Sequence, residues 1–137
     1  MVTPKFIPAL ILFFCMAGCW GTPWPHRSFT IDLSRARADQ EEVANVAKTF
    51  LMAHGLTDAG KAGQDIVNNT VTVLNFKRSD GLLVSVFLNR KGMVPVSFDQ
   101  DGPAFSEEAQ QLFDEFLSYL ERKWPGAVTL DPIPDRR

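Results

Sequence analysis

The side chains with the widest chemical range in this 137-residue chain are two histidines and two cysteines. His26 follows a Pro-rich run and His54 precedes Gly55 at the predicted end of a helix, where an imidazole is accounted for by the negative end of the helix dipole. Neither has Cys, Asp or Glu beside it at metal-ligand spacing, so a zinc site would have to be gathered from distant segments. Asp99-Gln100-Asp101-Gly102 opens like a calcium loop. Position five of that loop must offer an oxygen and position twelve a bidentate Glu, and here they are Pro103 and Gln110. The run reads as a turn into a helix, and no metal and no cofactor is implied. Ser79, Ser85, Ser97, Ser106 and Ser118 have no Gly-x-Ser-x-Gly elbow around them, and no glycine loop could cradle a phosphate. Glu107 and Glu108 are adjacent on a helix and point in different directions, so they are not a paired acid and base. The expectation is a protein that is not an enzyme.

Cys19 carries the one specific chemical signal. It closes the run Met16-Ala17-Gly18-Cys19 after an apolar stretch from Phe6 to about Trp20, with Lys5 as the only charge before it. A basic start, an apolar core and small residues at the cut make a secretory signal. The stretch falls short of the roughly 20 apolar residues of a membrane-spanning helix. The Met-Ala-Gly-Cys run resembles the lipobox of bacterial lipoproteins. That resemblance implies cleavage after Gly18, acylation of the Cys19 thiol and attachment to a membrane through lipid. Because Trp20 is not Asp, it further implies the outer membrane, facing the periplasm, if the host is Gram-negative. Cys15 would leave with the signal, so no disulfide is expected. Loss of Lys5 takes the formal charge from −2 to −3, a balance that argues against nucleic acid as a partner.

The rest of the chain divides into elements that would have to position any site. Residues 1–18 are expected as the signal peptide, 19–27 as a lipidated, Pro-rich tether, 28–131 as one small domain and 132–137 as a tail. Ser28 to Leu33 alternates polar and apolar, a half-buried strand. Asp39-Gln40-Glu41-Glu42 is a capping box, followed by Val43, Val46, Ala47, Phe50 and Leu51 at helical spacing and closed by Gly55, with Ser34 a rival start one turn earlier. Thr70 to Lys77, Leu82 to Asn89 and Met93 to Phe98 read as three strands joined by the tight turns Arg78-Ser79-Asp80-Gly81 and Arg90-Lys91-Gly92. Pro95 removes a ladder donor and predicts an edge position for its strand. Ser106 starts a second helix with the stripe Ala109, Leu112, Phe113, Phe116, Leu117 and Leu120, and Ala127 to Leu130 offers a short further strand.

These elements predict an α+β fold: an antiparallel sheet of three to four strands in the order β-α-β-β-β-α, with two amphipathic helices packed on one face. The strands are apolar on both sides. Leu82, Val84, Val86 and Leu88 define one side, and Val71, Val73, Leu83 and Phe87 lie on the other. A solvated antiparallel face would be more polar. The second face is therefore the candidate binding surface, unless the stretch from Ala127 to Ile133, or the first strand with Trp24, folds over it. The chain reads as a membrane-tethered, non-enzymatic binding module. Its partner would be another envelope protein or a secreted toxin, in an assembly, inhibitor or immunity-type role. An alternative is a small or lipidic ligand held between sheet and helices by Phe50, Phe76, Phe87, Phe113 and Phe116; an envelope enzyme ranks third.

Overall fold

A computed structural model describes residues 26–66, 69–88, 91–102 and 104–132. The signal, Cys19 and the tether before His26 lie outside the described residues. The elements run β1 (His26–Asp32), α1 (Leu33–Ala36), α2 (Gln40–Ala53), β2 (Thr57–Ile66), β3 (Asn69–Lys77), β4 (Leu82–Leu88), β5 (Met93–Gln100), α3 (Glu107–Lys123) and β6 (Val128–Leu130). One sheet holds all six strands in the order β2-β3-β4-β5-β1-β6, and every neighbouring pair is antiparallel. The α+β class and the antiparallel sheet are those expected, while the sheet is wider than three to four strands and a third, short helix is present.

Local chemistry explains each boundary. Asp32 ends β1 and caps α1, accepting from the backbone amides of Ser34 and Arg35 and from the Ser34 hydroxyl at 2.6 Å. These bonds, the hydroxyl first, hold the Asp32 carboxyl below the usual carboxylate range. Arg37 then takes a left-handed conformation (φ 53°), which separates α1 from α2. The start at Asp39 is as expected, while the segment of the rival Ser34 start forms a separate short helix capped by Asp32 and not by Ser34. Asp39 accepts from the Glu42 amide at 2.8 Å. At the far end of α2, Gly55 (φ 89°) lets the Leu56 amide reach the Leu51 carbonyl and its own amide reach Met52. This is the Schellman arrangement, with Leu56 and Leu51 both in the core. Ser106 caps α3 by accepting from Ala109, and Arg122 and Lys123 occupy its negative end.

The core lies on one side of the sheet. Phe29 and Ile31 of β1, Phe76 of β3, Leu82, Val84 and Val86 of β4, and Val94, Val96 and Phe98 of β5 meet Val43, Ala47 and Leu51 of α2 and Ala109, Leu112, Phe113, Phe116 and Leu120 of α3. Phe29 takes Phe113 and Phe116 edge-on at 5.7 Å, and Phe98 meets Phe113 at 5.1 Å. Phe50 stacks on Phe116 at 4.7 Å. Phe76, Phe113 and Phe116 are thus consumed in close packing and Phe87 is on the opposite side, so the five phenylalanines do not line one ligand cavity.

Two expectations need correction. Pro95 does not mark an edge strand, because β5 lies between β4 and β1. The β4–β5 ladder ends at Val86↔Val96, so β4 pairing has stopped where the chain reaches Pro95, and β1 continues alongside through Thr30↔Pro95. The missing donor is tolerated at this local end of a ladder. His26 is not part of the tether: it is the first residue of β1 and pairs with Asp99.

Candidate functional site

The face opposite the helices is built by register. In antiparallel pairs, directly opposed residues share a face, and the pairings define rows that cross the strands. One row runs Lys77–Leu83–Asp99–His26. The next runs Asn75–Ser85–Ser97–Ser28. A third joins Val73 to Phe87 and, one step beyond the last β4–β5 pair, Pro95 to Thr30 and Thr129. Val71 and Met93 belong to the same face farther along their strands.

The composition of these rows divides the surface. The β3–β4 side is apolar: Val71 and Val73 are buried, and Leu83 and Phe87 are half-buried. None of these four belongs to the helix-side core or packs against it. No described helix lies on this face, and Met93, at its other end, is 50% exposed, the highest value among the large apolar side chains that are exposed. The β1–β6 side is polar and internally bonded. The Ser28 hydroxyl donates to Asp131 at 2.7 Å and Thr30 donates to the same carboxylate at 3.4 Å. A row of short polar residues crosses both sides, and on β3 and β4 it separates Leu83 from Val73 and Phe87, with Ser85 donating to Asn75 at 3.0 Å.

His26 and Asp99 form the most suggestive polar pair here, with Nδ1 and Oδ1 2.7 Å apart and each side chain 38% exposed. Ser97 donates to the other oxygen of Asp99 at 3.4 Å. The serine therefore bonds to the carboxylate and not to the imidazole, so this is not a base poised on a nucleophile. An open depression of about 350 Å³, lined by Gly81, Leu83, Asp99, Gln100 and Asp101, adjoins the pair. Beside it, Arg78 holds Asp80 through two hydrogen bonds at 2.9 and 2.7 Å, which lower the Asp80 carboxyl and raise the Arg78 guanidinium. Two other open depressions flank the helices. One lies along the first turns of α2 and Tyr119, at about 430 Å³. The other lies around His54, Glu115 and Arg122, at about 450 Å³. Among the described residues, no group of three or more His, Cys, Asp or Glu side chains could hold a metal ion.

The structure places Val71, Val73, Leu83 and Phe87 on one face of adjacent strands, with Val73 opposite Phe87 and Leu83 set apart between Lys77 and Asp99, while Cys19 lies outside the described residues. The His26–Asp99 pair was not legible in the sequence, since only the insertion of β1 beside β5 brings residues 73 positions apart together. The expected dipole role of His54 has a specific form: Nδ1 bonds to the Phe50 carbonyl at 2.8 Å, the ring stacks on Phe50, and Nε2 lies 3.4 Å from Glu115 of α3. No protein-family model matches this chain, and no curated protein matches it at a significant level.

Proposed function

We propose that this chain is an exported, lipid-anchored binding module that presents its second sheet face to a protein partner in the cell envelope. The observation that carries this reading is the apolar quartet Val71, Val73, Leu83 and Phe87 on a face against which no described helix packs. Leu83 and Phe87 keep part of their apolar surface accessible there beside the buried Val71 and Val73, and accessible apolar surface of this kind marks an interaction site. The anchor is the lipid expected on Cys19. The partner is another envelope protein or a secreted toxin, and the module acts by occupancy rather than by turnover.

The test is cross-linking and recovery of the full-length protein from envelope extracts, comparing the native chain with Leu83→Lys and Phe87→Glu. Both variants are expected to lose a partner that the native chain recovers while still unfolding cooperatively well above the assay temperature, and Ser118→Lys on the exposed side of α3 keeps it. Recovery indifferent to the face substitutions overturns the reading. The anchor is tested separately by intact mass. A chain beginning at Cys19 with added acyl mass, abolished in Cys19→Ala, is expected, and a chain cut elsewhere without lipid overturns it.

A further inference from the structure

The helix layer is the acidic half of the molecule. Of the 16 acidic and 14 basic residues in the chain, Asp39 with α2 and α3 carry eight and three, a formal −5. The remaining eight acidic and 11 basic residues give the rest of the chain a formal +3 with His neutral. We propose that the groove between the first turns of α2 and Tyr119 of α3 docks an arginine- or lysine-bearing segment of a partner protein. This surface lies on the helix side of the core and is independent of the sheet face.

The groove has accessible surface and free charge. Its volume is about 430 Å³, and of its seven lining residues six are exposed, with only Val46 half-buried. Val46 and Tyr119 supply apolar and aromatic surface, and the Tyr119 ring is steadied by Phe50 at 5.1 Å. Asp39, Glu41 and Glu42 supply carboxylates one turn away. Among the described residues, no cation pairs with Glu41 or Glu42. The three bases of the layer are placed elsewhere. Lys48 lies 3.7 Å from Asp58 of β2, Lys123 lies over the Trp124 ring, and Arg122 lines the depression beside His54.

A long cationic side chain matches both halves of the groove. Its methylene stem covers the apolar surface of Val46 and Tyr119 while its head stays near water. The head is attracted by the face of the aromatic ring and forms charge-assisted hydrogen bonds with the free carboxylates. The N-terminus of α2 opposes a cation with roughly half an elementary charge, which the three carboxylates outweigh. The −5 of the whole layer acts in the same sense, drawing basic segments toward the groove and turning acidic ones away.

The test is an NMR titration of the full-length protein in detergent micelles with a capped arginine-leucine-arginine peptide. Tyr119 is the only tyrosine in the chain, so its ring resonances report the groove directly. They are expected to move in a saturable way, and less so at high salt. The same peptide with citrulline, which keeps the shape of arginine without its charge, is expected to leave them in place. Glu41→Gln with Glu42→Gln is expected to weaken binding severalfold. Glu107→Gln with Glu108→Gln, which removes the same charge from the first turn of α3, is expected to change it far less. Tyr119→Ala, followed through the Val46 methyl resonances, is expected to weaken binding as well. Melting curves establish that each variant is folded. Three results overturn the proposal: no saturable movement in the native chain, equal binding of the citrulline peptide, and equal losses from the two glutamate pairs. None of these substitutions touches the sheet face, so the outcome bears on the groove alone.

Discussion

Phenylalanine does two different jobs in this chain, and position on the sheet decides which. Phe116 touches Phe29, Phe50 and Phe98 and is fully buried. Phe116→Ala removes atoms from a site that cannot collapse, and a loss of about 3–5 kcal/mol is expected in urea unfolding. Phe87, on the other face and half-buried, is expected to cost less than half of that on truncation, and to affect association instead. Charge acts at the same scale. Asp80 has its carboxyl depressed, mainly by its hydrogen bond to Arg78. A carboxyl lowered in the folded state contributes stability above its unfolded value near pH 4, and that contribution fades as pH falls through the folded value. Melting temperature followed from pH 5 down to pH 2 should therefore drop less steeply in Arg78→Gln than in the native chain. The effect is small, because Asp80 is 38% exposed and solvent screens the pair. The sequence showed which phenylalanines have helical spacing and that Leu83 and Phe87 alternate with the core residues of β4. It did not show the His26–Asp99 pair, which has no local signature.

The elements follow their caps and turns closely. Asp39, Ser106 and Gly55 each stand where the hydrogen bonds place a helix end. Ser106→Ala should cost about 1 kcal/mol, since it leaves the Ala109 amide without its acceptor. Gly81→Ala should cost more than a cap: φ is 91°, and an added Cβ would meet the Asp101 Cβ at 2.8 Å. A strained position of this kind is worth about 1–3 kcal/mol, and thermal unfolding of the variant measures it. The element missed in the sequence is β2. Thr57-Asp58-Ala59-Gly60-Lys61-Ala62-Gly63 has little β propensity and no alternation, because an outermost strand is paired on one side only and is held by backbone bonds to β3. A bulge at Asp58/Gly60 and glycine at φ 97° further blur its period. Pro95 misled in the opposite direction: the absence of its N–H is a property of one bond in one ladder, not of the whole strand.

At the scale of the molecule, order of pairing differs from order in the chain. β1 is made first, yet its partners are β5 and β6, made last. Hydrogen exchange should be slowest for β4 and β5, paired on both sides and backed by the core, and faster in β2 and the three-residue β6 at the sheet margins. Uniform protection across all six strands would contradict that gradient. The placement of β1 also has a mechanical side. A force applied through the residues before His26 acts along β1, which is held by seven opposed residues of β5 on one flank and three of β6 on the other. Such a pull loads both ladders in shear, so that their bonds must rupture together. A pull on the residues after Leu130 leaves the sheet at the same end, and it loads only the three pairs of β6 with β1 and the bonds of Asp131 to Ser28 and Thr30. The domain is an unequal anchor point: firmly held when hauled from its beginning, and more weakly held when hauled from its end.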